Sequence, residues 1–434
     1  MMLSFIFFVG LVFFSIPALL NFLIFVLMVL KIGPWRLKAN IERSLSLPPG
    51  PWKLPIIGNL HHLVGSLPHH RLRNLANNYG PIMYLQIGEH PTILVSSPQS
   101  AKGVMQTHDE FFATRVETVA TKIMTYDFSA VSFAPYGEQW IELRKLCTME
   151  LSSKKRDQSF RYDREEEVSE VIRSIASKAG SVTNLSDIVS SLAYNLFLKI
   201  AFLAAAGSNT ADLFPSIKFL QLIAGVKSQV EKIHQQADKI ISNIIEERET
   251  RLKTGKSEED GDLVDVLLRD QENGNLQFPM TIKTIKAVIF EIFAAGTDSS
   301  AIAIDRALSE IIKNPRVPKR VQGEVREVFN RKGKVDETGI EELQFLKLVI
   351  KETLKLHPPG SLDPKYWTEP ESFILERFPD SSINFQVNNF EYIAFGSVPI
   401  LRFPLAMLLY HFDWKLPNGM KHEALDMGEN LESF

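Results

Sequence analysis

The run FAAGTDSS, Phe293 to Ser300, sets a glycine, an aspartate and neighbouring hydroxyls inside a stretch that otherwise reads as helix. Ile285, Val288, Ile289, Ile292 and Phe293 before it, and Ile302, Leu308 and Ile311 after it, keep a helical period. Glycine in a helix interior costs about 1 kcal/mol relative to alanine, and Asp and Ser there compete for the backbone's hydrogen bonds. EQWIELRK places Trp140 and Arg144 four residues apart on one helix face. Indole N–H and guanidinium could both donate to one anion there; a surface contact between aromatic ring and Arg is the plainer reading. VIKETLKLHPP places Glu352 and Lys355 three apart before a proline stop, in isolation an ordinary helical ion pair. ESFILERF supplies Arg377 in a loop bounded by prolines. The pairs His61–His62 and His69–His70 lack further ligands at metal-binding spacing and read as exposed loop histidines.

These residues need elements to hold them. YGPIMYLQIG and PTILVSS read as two short strands with a turn near Gly88 to Pro91. From about Ser97 the pattern turns helical, with amphipathic segments over Gln139–Glu150, Arg164–Ser177, Leu185–Phe202, Pro215–Leu252, Ile282–Lys313 and Gly339–Leu356. KTGKSEEDGD, Lys253 to Asp262, reads as an exposed loop. The fold class is therefore mainly α with small β-sheets. LPPGPWKLPIIGNL, Leu47 to Leu60, has four prolines and two glycines and reads as a semi-rigid connector.

The chain's 434 residues, 45% apolar, suffice for a large core. A net charge of -3 without any basic tract gives no case for nucleic acid. The one cysteine, Cys147, excludes an internal disulfide framework and any multi-cysteine metal site. Met1 to Leu30 carries no charged residue, long enough to span a bilayer as a helix, and Lys31, Arg36, Lys38 and Arg43 follow directly. The positive-inside bias keeps that basic end cytosolic. The expected organisation is a single N-terminal transmembrane helix over 1–31, a basic and proline-rich linker over 32–50, and one domain over 51–434.

Taken in order, the anchor, the PPGP hinge, W-x-x-x-R, A-G-x-D-S-S, E-x-x-[basic] before LHPP, DPKYWTEPESF leading to ERF, and YIAFG run from end to end. In this order the chain resembles the cytochrome P-450 family in its plant endoplasmic-reticulum form. The resemblance implies a mostly helical domain around a buried heme, on the cytosolic side of the endoplasmic reticulum membrane. It implies that Trp140 and Arg144 contact the heme propionates, and that Asp298 and Ser299 form the acid–alcohol pair beside the oxygen-binding face, with Ser where the family usually has Thr. Ala295 and Gly296 match the small residues that let this helix open beside bound oxygen. On this resemblance the inserted glycine, acid and alcohol form a groove that positions water and feeds protons to oxygen.

The chain also departs from the family pattern. Glu352, Lys355 and Arg377 match the structural triad, with Lys355 where the family has Arg; lysine keeps the charge and loses the planar fork. LHPPG runs directly into SLDPKYWTEP, so the family's wall strands are shortened. Internal deletions are expected near 203–207, 360–361 and 397–403. YIAFGSVPILRFPLAM, Tyr392 to Met407, keeps Phe395 and Gly396 of the heme loop and has no cysteine, so the family's metal ligand is missing. That thiolate pushes electron density toward O–O cleavage. Two functions follow. The first is monooxygenation of a small apolar, terpenoid-like metabolite by heme, O2 and electrons from an NADPH-dependent reductase. The second is a non-catalytic, membrane-bound helical protein unable to activate oxygen.

Overall fold

The computed structural model describes residues 47–65, 67–152, 158–182, 210–217, 226–254, 263–274, 278–357, 369, 372–378, 398–416, 420–422 and 425. Within its helices the side chains of 151–152, 210–211, 226, 297–299 and 398–400 are not described. The apolar run 1–31, the expected helix Leu185–Phe202, and Phe395 and Gly396 lie outside the described residues. The chain divides into two compact units: Met1–Ala101 with Leu213–Ser216, and Lys102–Asp212 with Ile217–Phe434.

In the first unit the proline-rich connector stays irregular, and helix α1 (Pro68–Tyr79) opens on a proline, whose missing N–H is no loss at that position. The two expected strands form an antiparallel pair, β1 (Ile82–Ile87) and β2 (His90–Val95), with Ile82 opposite Val95 and Ile87 opposite His90. Met83 and Leu85, two apart on one face of β1, are buried, the alternation a half-buried strand requires. Gly88 turns the hairpin at φ +60°, and a Cβ there would sit 2.4 Å from the Leu213 carbonyl oxygen. Only glycine fits, and it lets the Glu89 N–H donate to that carbonyl at 2.9 Å. His61 and His62 lie in a short turn with ring centroids 3.9 Å apart, against Trp52.

The second unit is helical: α2 (Val119–Met124), α3 (Glu138–Ser152), α4 (Arg161–Ala176), α5 (Val226–Lys253), α6 (Leu263–Asn273), α7 (Ile282–Lys313), α8 (Val317–Lys332), α9 (Gln344–Leu356) and α10 (Val398–His411). It has two apolar cores. Residues of α2, α3, α5 and α6 pack on Ile285, Val288, Ile289 and Phe290 of α7. Residues of α4, α8, α9 and α10 pack on Ile304, Ala307, Leu308 and Ile311 of the same helix. At 1.5 Å per residue, α7 is about 48 Å long, enough to serve both. It is also long and apolar enough to cross a membrane by composition, yet its apolar faces are spent on the two cores and its Lys286 bonds Asp238 of α5 at 2.8 Å.

The expected helix Gly339–Leu356 is divided. A 3-10 turn, Glu337–Glu342, precedes α9, because Asp336 accepts the Thr338 N–H at 2.9 Å and fixes the turn. The start of α9 is then capped from another element. Glu324 of α8 accepts the Phe345 and Leu346 N–H groups at 2.7 and 2.9 Å, a carboxylate at the positive end of a helix.

Candidate functional site

Trp140 and Arg144 share a face of α3, as their spacing requires. Trp140 is half-buried and Arg144 exposed, with the guanidinium carbon 5.0 Å from the indole centroid and the Tyr136 ring 5.4 Å from the same indole. A cation–π contact at an exposed site contributes about 0.5–1 kcal/mol, which holds both donors on one side of the helix.

The FAAGTDSS stretch lies between the fully buried residues of the two cores, with Ala294 still packed against the first of them. Phe293 is 48% exposed, Ala295 and Gly296 are exposed, and a Cβ built on Gly296 would meet no described atom within 4 Å. The helix backbone runs through the stretch without a break. Asp298 and Ser299 lie on it, their side chains outside the description. One turn before Ala295 stands Glu291, which no motif or spacing singles out.

Glu291 Oε1 accepts the Ser132 N–H at 2.6 Å, and the Val131 N–H also bonds this carboxylate. Its Oε2 is buried with no hydrogen-bond partner among the described residues. Burial pushes the carboxyl up to about 7, against the two backbone N–H groups and the Arg115 charge. Cys147 of α3 packs among the same apolar residues. Burial, then the Glu291 charge, pushes its thiol up to about 11, so the sulfur is a neutral thiol at neutral pH.

The loop that Glu291 holds is strained. Tyr126, Asp127 and Phe128 have φ of +51°, +63° and +59°, a left-handed run that costs about 1–2 kcal/mol per non-glycine residue. Tyr126 Oη and Lys286 Nζ both donate to Asp238 Oδ1 at 2.8 Å, and Asp127 pairs with Lys122 at 3.6 Å and Lys283 at 3.7 Å. Burial alone would raise the Asp238 carboxyl, but Lys286 and Tyr126 outweigh it and hold it below the usual range.

Glu352, Lys355 and Arg377 come together. Lys355 Nζ lies 3.0 Å and Arg377 Nε 3.2 Å from Glu352 Oε1, and the Ile374 N–H donates to the same oxygen at 3.0 Å. The Glu352 and Lys355 side chains are 0% exposed. Arg377 also donates to the Ser372 and Glu369 carbonyls at 3.0 and 3.1 Å. Two hydrogen-bond donors, Lys355 and the Ile374 N–H, thus converge on one oxygen beside the ion-paired Arg377, whose Nε donates to the Ile374 carbonyl at 3.1 Å, while Glu352 Oε2 is buried without a partner among the described residues. Burial pushes the Glu352 carboxyl up, opposed by these donors, and pushes the Lys355 ammonium down. His357, just past α9, bonds Glu310 of α7 at 2.9 Å and ties the two helices.

A sequence model described as cytochrome P-450 matches residues 48–229, 208–362 and 360–397. The chain belongs to the cytochrome P-450 family. Members of this family are heme monooxygenases. Cytochrome P-450 71D8 of Glycine max is 43% identical over 465 aligned positions, covering 92% of this chain and 92% of that protein. Desmethyl-deoxy-podophyllotoxin synthase of Sinopodophyllum hexandrum is 42% identical, covering 91% and 90%. Tabersonine 16-hydroxylase 2 of Catharanthus roseus is 42% identical, covering 91% of each. A structure of a zebra fish cytochrome P-450 with progesterone superposes with a TM-score of 0.64 at 19% identity, over 82% of this chain and 95% of that one, which shows the shared, mainly helical fold.

The donor set does not fit a heme-thiolate centre. Residues 148 to 434 contain no cysteine. The one sulfur of the required kind is built into the packing of α3 against α7, beside a carboxylate that disfavours its ionisation. A thiol kept neutral by burial and a nearby anion is a poor metal ligand. Trp140 and Arg144 suit the edge of an anionic ring, but nothing in the sequence supplies the axial sulfur.

Proposed function

We propose that this chain descends from a membrane-anchored monooxygenase that oxidises a small apolar metabolite with O2, taking electrons from NADPH through a reductase at the endoplasmic reticulum. The observation that carries this is the exposed middle of α7. Between the residues that the two cores bury, Phe293, Ala295 and Gly296 are exposed on the stretch that also carries Asp298 and Ser299, and a ligand groove needs such open positions. Relatives named for acting on podophyllotoxin precursors and on tabersonine support a plant specialised metabolite as substrate class. Trp140 and Arg144 would take the propionate side of the ring, and Asp298 and Ser299 the proton-donating side. The anchor is assigned to 1–31, with internal losses near 203–207, 360–361 and 397–403. An alignment of 465 positions, longer than the chain's own 434, supports those losses.

A specific observation favours a second reading for the chain as it stands. Its only thiol, Cys147, packs into the apolar core that α3 shares with α7, and on this second reading the frame is retained without the ligand that activates oxygen. The absorption spectrum of the reduced protein with carbon monoxide, with iron measured on the same sample, separates the two. A red-shifted thiolate-type Soret band restores the oxygenase. Heme without that band means a pocket without its chemistry, and no heme leaves a helical membrane protein.

A further inference from the structure

Residues 126–134 form a strap between α2 and α3, and α7 supplies three of its attachments from one broad face. Lys283 pairs with Asp127, Lys286 reaches Tyr126 through Asp238 of α5, and Glu291 accepts the Ser132 N–H. The first two join a cation or a neutral donor to an anion. The third differs. A buried carboxyl with one oxygen hydrogen-bonded and the other without a partner is tolerable when protonated and costly when ionised. The groups that face it are the Val131 and Ser132 N–H groups of the strap, Arg115 before α2, and the Cys147 thiol of α3. Only Arg115 among these is a cation, and its effect is the smallest of those opposing burial.

We propose that Glu291 is a proton-controlled catch on this strap: protonated, it keeps residues 126–134 closed on α7, and ionised, it favours a state in which the strap lifts and water reaches the carboxylate. The sign follows from linkage. The closed state holds the Glu291 proton more tightly than a solvated glutamate does, with burial pushing the carboxyl up to about 7. Closure is therefore complete at low pH and weakens as pH rises through that interval. The strained backbone at Tyr126 to Phe128 gives the strap a reason to move once one attachment loosens. This device does not depend on heme or on the oxygenase reading.

The test is hydrogen exchange on the detergent-solubilised full chain between pH 5.5 and 8, read as protection factors corrected for intrinsic exchange. Protection over 126–134 is expected to fall by at least about tenfold across this range, while α8 stays unchanged. Glu291→Gln keeps an acceptor for the Ser132 N–H but cannot ionise, so its strap should stay protected at every pH. Asp127→Asn loosens a different attachment and should keep the pH response. A second readout uses the single thiol: at pH 8, Cys147 should react with a maleimide more slowly in Glu291→Gln than in the parent chain. A flat profile in the parent chain, or the same fall in Glu291→Gln, overturns the proposal.

Discussion

Lys355→Arg should stabilise this protein, and Lys355→Met should destabilise it. Glu352 Oε1 receives Lys355, Arg377 and the Ile374 N–H, while Oε2, equally buried, receives nothing from the described residues. A buried polar atom left unsatisfied costs about 1–3 kcal/mol. A guanidinium at position 355 can address both oxygens, which an ammonium cannot. Lys355 is fully enclosed, so part of that gain is lost to crowding by the larger head. The net expectation is about 1 kcal/mol of added stability, a rise of roughly 1–2 °C in Tm for a chain of this size. Lys355→Met removes one cation from a buried pair, a change that costs about 3–5 kcal/mol when nothing else compensates. Arg377 remains on Oε1, which brings the expected loss to about 2–3 kcal/mol. Urea titration, which leaves ion pairs unscreened, with far-UV circular dichroism of the detergent-solubilised chain is the assay. Lys355→Met matching the parent midpoint would refute the reasoning, since it would mean that Glu352 is protonated and holds no ion pair. A loss in Lys355→Arg would mean that Oε2 is satisfied already or that the enclosure leaves no room for a fork.

Arg402→Leu is a second stability test. Arg402 is 7% exposed, its Nε has no partner among the described residues, and its acid partner Glu341 stands 3.4 Å away and 83% exposed. A hydrophobic residue of similar volume should add about 1–3 kcal/mol, read as a higher urea midpoint; an unchanged or lower midpoint counts against it. Deleting Met1 to Leu30 should leave a protein that still self-associates, because Phe111 at 81% exposure, with Met105, Phe112 and Val116, forms exposed apolar surface. Light scattering after size exclusion checks this, and a monodisperse, cooperatively melting truncated protein would contradict it.

Local pattern was enough for the elements that carry their own period. α7 is found with the bounds its apolar spacing implies, Ile282–Lys313. Trp140 and Arg144 meet because any helix brings i and i+4 together. The helix boundary at Leu343 was not legible. It is set by Glu324, twenty-one residues before Phe345, and by Gly339 lying against the Phe329 ring, where a Cβ would come within 2.6 Å. Nor was α8 evident, because its charges interleave with its apolar positions. The convergence of Arg377 on Glu352 is twenty-five residues distant in sequence and was legible only through likeness to a family. Glu291 had no such signal: its partner Ser132 lies 159 residues away, and a lone acid in an apolar helix looks the same whether it faces solvent or holds a loop.

The two cores explain how a chain can keep this fold without the ligand its family uses for catalysis. α7 is fastened at its first third by α2, α3, α5 and α6, and at its last third by α4, α8, α9 and α10. Each core closes chiefly through Val, Leu, Ile, Met and Phe side chains, and neither includes Ala295 or Gly296. A fully buried side chain of this kind contributes about 1.5–3 kcal/mol, so either core outweighs the helix-breaking tendency of the glycine between them. The exposed positions of α7 are therefore kept in place by residues with no part in chemistry. Stability and oxygen activation rest on different residues, and loss of the second need not remove the first. That separation is why family membership identifies the frame, while the chemistry of this chain must be read from the one thiol it has, Cys147, packed into the core that α3 shares with α7.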